Sequence, residues 1–413
     1  VTGLEDISAD ILERIDAMAR FTETEGKLTR RCFTTAHRQV NDLVAGWMAD
    51  AGLHVRTDPV GNVIGRYEGR AARARAIVLG SHQDTVIDAG RYDGALGIVA
   101  AIDCVRSLHE REIRYDDAVE VVCFTDEEGV RYQSAFLGSR GIEGTFDSRL
   151  LSRTDKDGIP LMEAMSDFGL DPTSIRDAAR DPGDIRCFVE LHIEQGPFLE
   201  IKKMPVCAVR AISGATRMTI SIKGMAGHAG TVPMDARQDA LVAASECILL
   251  IERTARSNRS VVATVGQISV RPGTTNVIPG QTSFSIDVRS PEDAVRQEII
   301  EQIQSGMLGI ARRRNVRIGF DTSHDVNGII CADWVVDEVI GAMGDLGHDP
   351  VAIPSGAGHD AMVMAGLTDV AMIFVRCRGG ISHHPDESIT RDDAIAGVAL
   401  LTRTVERIGS MAR

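Results

Sequence analysis

Short apolar runs that each end in a polar phrase are the feature that most restricts how this chain can fold. Ala76 to Leu79, Ala118 to Phe124 and Cys187 to Ile193 are too short for core helices and rich in β-branched residues, so they predict buried strands, as does Asn62 to Tyr67. Helical spacing lies around and between them. Ile7, Ile11, Leu12, Ile15 and Met18 fall on one face of a helix over 7 to 20. Val40, Leu43, Val44, Trp47 and Met48 do so over 35 to 51, with Gly52 as a stop, and a further helix is expected from about Gly94 to Leu108. This alternation predicts an α/β fold. His82, the Glu127-Glu128 pair and His192 stand at or just past the C-terminal ends of the runs, where ligands gather in open α/β sheets, so these polar phrases are expected to converge.

From about Arg210 the rhythm changes. A strand at Thr216 to Lys223, a helix from Asp235 to Arg253, strands at Val261 to Val270 and Thr282 to Arg289, a helix from Pro291 to Arg313 and a strand at Val316 to Asp321 make the β-α-β-β-α-β order of a ferredoxin-like unit. After about residue 326 the α/β pattern resumes. A chain of 413 residues exceeds one ordinary core, so the expectation is a first α/β part over 1–210, an inserted α+β domain over 211–326 and a second α/β part over 327–413.

The formal charge of -14, with acids and bases interspersed, argues against nucleic acid or an anionic membrane as partner and points to a small molecule. No apolar stretch approaches a membrane span, and Glu5, Asp6 and Asp10 near the start do not resemble a leader, so a cytoplasmic address is expected. The eight cysteines are scattered without a Cys-x-x-Cys pair, as for packed thiols in a reducing compartment.

His82, Asp93, Glu128, His192 and His383 have the chemistry of a dinuclear metal site. Two divalent cations a few Å apart need about three protein ligands each with one carboxylate shared, and a spare carboxylate to take a proton from water. Glu127 is left as that spare. Taken singly, each histidine reads more readily as a packed or capping residue, Asp93 as the N-cap of the next helix, and the glutamate pair as a solvated loop; the combination favours ligation. Asp84 either points away from His82 along an extended strand or, if the chain turns, orients its ring. Imidazoles and carboxylates without a thiolate suit Zn²⁺, Mn²⁺, Co²⁺ or Ni²⁺.

These phrases resemble the hydantoinase/carbamoylase family of dinuclear amidohydrolases, which includes N-carbamoyl-L-amino acid hydrolases, allantoate amidohydrolases and β-ureidopropionases and is related to aminoacylase and carboxypeptidase-G-like metallopeptidases. The resemblance covers about residues 28 to 390. It is carried by Ser81 to Val86, Arg91 to Gly94, Glu127 to Arg131, Glu190 to Pro197, Gly227 to Met234, Asn276 to Pro279, Ser355 to Asp360 and Gly380 to Pro385. It implies a metallopeptidase-like catalytic domain with a mixed sheet flanked by helices, an inserted lid and dimerisation domain, and a homodimer. It also implies two divalent ions per subunit, one held by His82, Asp93 and His192 and the other by Asp93, Glu128 and His383. Glu127 would be the general base, Asp84 would orient His82, and His228 would polarise the scissile carbonyl across a dimer interface. Gln195 would contact the ureido group; Asn276, Arg289 and backbone amides around Gly356, Ala357 and Gly358 would bind the substrate carboxylate. Arg289 taken alone would read as a surface arginine. The chain departs from the family pattern at Ala89, where a glycine often stands. His384 adjoins His383 and competes with it as ligand, and Cys377 nearby reads as a packed thiol.

The implied reaction is metal-dependent cleavage of the terminal ureido C–N bond of an N-carbamoyl-L-amino acid, releasing amino acid, ammonia and carbon dioxide. Allantoate hydrolysis is the nearest alternative, followed by an aminoacylase or dipeptidase activity. A binding protein with a relict site is disfavoured because every ligand and Glu127 are present.

Overall fold

The computed structural model describes residues 10–411; Ile7, expected on the first helix, lies outside them. Two compact units divide the chain by their internal contacts. One runs to Arg210 and takes up Cys331–Ile353 and the stretch from Gly358; the other comprises Ala211–Ile330 with Pro354–Ala357.

The larger unit is built on a mixed sheet. Its strands lie in the order His54–Thr57, Val63–Tyr67, Ala118–Phe124, Ala76–His82, Ile185–Ile193, Val370–Val375 and Val206–Ile212. Ala76–His82 pairs in parallel with both Ala118–Phe124 and Ile185–Ile193, and Val370–Val375 pairs in parallel with the latter. The outer pairings are antiparallel. All residues of the Ala76–His82 and Ala118–Phe124 strands are buried, as expected for a sheet covered on both faces. The first strand runs three residues further than its apolar run, so Ser81 and His82 still have strand geometry.

Helices cover this sheet where periodicity placed them. Thr35–Asp50 is capped by Thr34, whose side chain accepts the His37 N–H, and buries Val40, Val44 and Met48. Ala95–Glu110 is buried nearly throughout and packs directly on the central strands. Gly97 permits that approach, since a Cβ there would stand 2.2 Å from the Leu191 carbonyl oxygen.

The smaller unit is a five-stranded antiparallel sheet with the helices Ala240–Arg256 and Asp293–Arg314 packed on one face. Alternate residues of Gly214–Lys223 and Gln281–Ser290, including Ile220, Ile222, Phe284, Ile286 and Val288, meet Cys247, Ile251, Ile303 and Met307 in its core. The last strand runs over Arg317–Val326, five residues past its expected end, and two further differences have a visible cause. The first helix starts at Ala240 because Asp239 caps it, accepting the Leu241 and Val242 N–H groups, while Asp235 lies in a 3-10 turn. The strand expected over Val261 to Val270 is two, Val262–Thr264 and Ile268–Arg271, both paired with Gln281–Ser290. Between them, Gln267 turns its N–H to the Ser285 hydroxyl.

All eight cysteines are buried and unpaired, in keeping with the reading as packed thiols. Among the described residues no helix is long and apolar enough to cross a membrane.

Candidate active site

Strand ends and the loops beyond them gather four of the expected side chains around a fifth, the carboxylate of Asp93. Asp93 is buried in the turn before the Ala95–Glu110 helix, whose N-cap position is Gly94, so the Asp93 side chain points into the site instead of capping the helix. Its Oδ1 lies 2.9 Å from His192 Nε2 and 3.5 Å from His82 Nε2; its Oδ2 lies 3.1 Å from His383 Nε2. His383 Nε2 is also 3.3 Å from Glu128 Oε1. The donor atoms form two trios, His82, Asp93 and His192, then Asp93, Glu128 and His383, with the atoms of each within 4.8 Å of one another. Asp93 belongs to both, one oxygen facing each side.

The rings are aimed from behind. His192 Nδ1 lies 2.9 Å from the Ile193 carbonyl oxygen and His82 Nδ1 lies 3.0 Å from that of Asp84, which leaves both Nε2 atoms toward Asp93. The Asp84 carboxylate stands further from the His82 ring, at 3.6 Å, and its two oxygens accept the N–H groups of Glu127 (3.0 Å) and Glu128 (3.1 Å). Asp84 therefore orients the glutamate pair as well as the histidine. His384, the alternative to His383, is exposed; its Nδ1 accepts the Asp386 N–H. Cys377 is buried with its thiol toward the Gly196 carbonyl oxygen.

Electrostatics reflect this crowding of acids. Burial, opposed by His82 and reinforced by Glu128, Asp360 and Asp84, pushes the Glu127 carboxyl well above its ordinary range. Burial and the Asp93 charge raise Glu128 to about 7. Burial would also raise Asp93, yet its contacts with His192, His383 and His82 pull it well below the carboxylate range. The hydrogen bond to Asp93 leads the causes that lift His383 to about 9. Buried acids that raise one another, beside imidazoles aimed at a shared carboxylate and with no thiol among them, are the donor set that a pair of borderline divalent cations would neutralise. Glu127 belongs to neither trio, and its Oε2 stands 4.0 Å from His82 Nε2.

Gln195 is held with φ 57°, and its amide nitrogen donates to Asp93 Oδ2 and to Ser382 Oγ, 3.1 Å each. Its Oε1 is buried without a hydrogen-bond partner. Sequence reasoning passed over several neighbours: Glu190, which accepts from the Ser81 hydroxyl and the Ala361 N–H; His359, whose ring meets that of His192 at 4.6 Å; and Ser382 and Glu387. Glu190 and His359 lay inside phrases already singled out. Glu387 could have been suspected from its place four residues after His383.

The remaining expected residues, apart from Gly358, belong to the smaller unit. His228 and Val277 face each other in a short antiparallel ladder, next to which the Asn276 carbonyl accepts the Ala229 N–H. His228 is exposed, its Nδ1 accepting from Gly230 N–H. The Arg289 guanidinium is clamped through Nε and Nη2 on Asp287 (2.9 and 3.1 Å), which also accepts from Arg217 Nε (3.0 Å), and through Nη1 on the Gly356 carbonyl oxygen (2.8 Å). Gly356 thus offers its carbonyl to Arg289, and the Ala357 N–H expected in the carboxylate clamp is donated to Ser355 Oγ instead. Gly358 opens the returning segment of the larger unit.

The model of peptidase family M20/M25/M40 matches residues 78–407. An N-carbamoyl-L-amino acid amidohydrolase of Geobacillus stearothermophilus is 40% identical over 383 residues, 93% of this chain and 94% of that protein. An allantoate deiminase of Arabidopsis thaliana is 38% identical over 424 residues, 95% of this chain and 81% of that protein. The crystal structure of a hydantoinase/carbamoylase family amidase from Burkholderia multivorans superposes with a TM-score of 0.92 at 32% identity, covering 98% of each chain. The chain belongs to peptidase family M20/M25/M40 and, within it, to the hydantoinase/carbamoylase amidohydrolases. It is accordingly a metal-dependent hydrolase acting on C–N bonds other than peptide bonds.

Proposed function

We propose that the protein hydrolyses the terminal ureido C–N bond of N-carbamoyl-L-amino acids, using two divalent ions (Zn²⁺, Mn²⁺, Co²⁺ or Ni²⁺) held by His82, Asp93 and His192 and by Asp93, Glu128 and His383. The observation that carries this reading is a buried carboxylate, Glu127, beside two donor trios that share Asp93. Bound, the ions would supply Lewis acidity toward water and the ureido carbonyl. Glu127 takes the proton of the attacking water and returns it to the departing nitrogen, a role suited to a carboxyl whose affinity for protons is raised. Asp84 fixes the backbone on which Glu127 and Glu128 stand. Gln195 holds Asp93 by its NH₂ group and directs a buried, unpartnered oxygen that a ureido N–H would satisfy.

For the substrate carboxylate the reading takes Arg289, Asn276 and the backbone amides of Gly356 and Gly358, the Ala357 N–H being engaged by Ser355 Oγ. With Nε and one Nη2 hydrogen committed to Asp287, Arg289 keeps a further N–H on each terminal nitrogen for a two-point contact. His228 polarises the carbonyl from a second copy of the chain, in a homodimer. On this reading His228→Ala lowers turnover without emptying the metal site. Mixing the impaired His228→Ala and Glu127→Gln variants then raises activity above that of either alone, toward about a quarter of wild type, because random pairing leaves one intact site in half of the dimers. Mixtures as inactive as their components reject the shared site.

The second reading, allantoate hydrolysis, is favoured by the 38% identical deiminase, and both reactions demand the same ureido and carboxylate ends. Ammonia release from allantoate and from a panel of N-carbamoyl L- and D-amino acids, after metal reconstitution, separates them. Turnover of the L-carbamoyl compounds is expected; turnover of allantoate alone reverses the order.

A further inference from the structure

Beneath the second donor trio lies a carboxylate that neither trio uses. Glu387 is 4% exposed. Its Oε1 accepts the N–H groups of Tyr92 (2.8 Å) and Asp93 (3.1 Å), and its Oε2 accepts the hydroxyl of Ser382 (2.9 Å). That hydroxyl also lies 3.0 Å from Asp93 Oδ2 and accepts from Gln195 Nε2. The turn carrying Asp93 is shaped around the carboxylate: a Cβ on Gly90 would fall 2.3 Å from Glu387 Cβ. Two loops nearly three hundred residues apart are thus joined through one side chain, Glu387 binding the backbone at Asp93 and the residue next to His383.

The trios depend on this joint unequally. His82 and His192 project from strands of the sheet and have their Nδ1 atoms set by local carbonyls. His383 stands on an irregular turn, half exposed, at φ 56°. We propose that Glu387, acting through Ser382, is a positioning residue that fixes the spacing of Asp93 and His383 and so sets the affinity of the Asp93, Glu128 and His383 trio for its ion. The inference rests on the dinuclear reading above.

Titrating the metal-free full chain with Zn²⁺ by calorimetry, with bound metal counted by elemental analysis, tests it. Glu387→Ala and Ser382→Ala should each weaken one of two binding events about 10- to 100-fold and leave the other within about threefold. Glu387→Gln should recover most of the loss, because its oxygen still accepts the two N–H groups while its nitrogen donates to Ser382. In the metal-free chain, hydrogen exchange at the Tyr92 and Asp93 amides should accelerate in Glu387→Ala. Asp58→Ala is the structural control: Asp58 is equally buried and accepts the Val60 and Asn62 N–H groups, so its loss should lower the melting temperature and spare both affinities. Unchanged binding in Glu387→Ala, or an equal fall at both sites without rescue by Glu387→Gln, overturns the proposal. A wild type that binds fewer than two ions overturns the dinuclear reading and this inference with it.

Discussion

Glu127→Gln is expected to lower ammonia release by about 10²- to 10⁴-fold, the range for removing a general acid-base group, while both ions stay bound. The amide keeps the size and the backbone contacts of the glutamate, whose N–H is held by Asp84. It cannot accept the proton of the attacking water. Because the Glu127 side chain lies outside both donor trios, metal content should match wild type by elemental analysis. The turn should also persist, since the Phe136 N–H bonds to the Glu127 carbonyl whatever the side chain. Near-normal turnover with full metal content would reject Glu127 as the base.

Asp93→Ala should act on binding itself. One carboxylate serves both trios, so its loss takes a ligand from each at once and leaves His82, His192 and His383 facing a gap. Its anionic charge is also what holds those imidazoles together; without it, Gln195 and Ser382 lose the acceptor they share. Affinity for both ions should fall by more than about 100-fold, beyond the 10- to 100-fold typical of residues that only support a ligand. Equilibrium dialysis should show both ions lost together, and activity should vanish, as is also expected when wild type is treated with a chelator. Retention of one ion at wild-type affinity would sink the shared-ligand arrangement. His383→Ala gives the contrast, since it removes a ligand from one trio only.

Much of the catalytic unit could be read from local pattern. The burial period of a covered strand is short, so Ala118 to Phe124 emerged with its observed bounds and the neighbouring runs within a few residues. Motif phrases picked out the members of the two donor trios, because imidazoles and carboxylates are recognisable by residue type alone. The division of labour at Asp84 was not readable: whether its carboxylate meets a ring or two backbone amides depends on where the chain turns after His82. The same holds for Ala357, whose N–H goes to a side chain two residues back. In the smaller unit, helix starts shifted because a cap is decided by backbone geometry, and Asp239 won over Asp235.

By itself the sequence determined the α/β and α+β pattern, the donor chemistry and the family, all of which follow from residue type and short-range spacing. Tertiary structure alone decided that Asp93 splits its oxygens between two sets of imidazoles, that Gln195 gives its NH₂ group to that carboxylate, and that Glu387 sews the Asp93 and His383 turns together. Those contacts join residues a hundred to nearly three hundred positions apart. No local propensity encodes such a pairing; it exists only once burial of the sheet has brought the loops to one place.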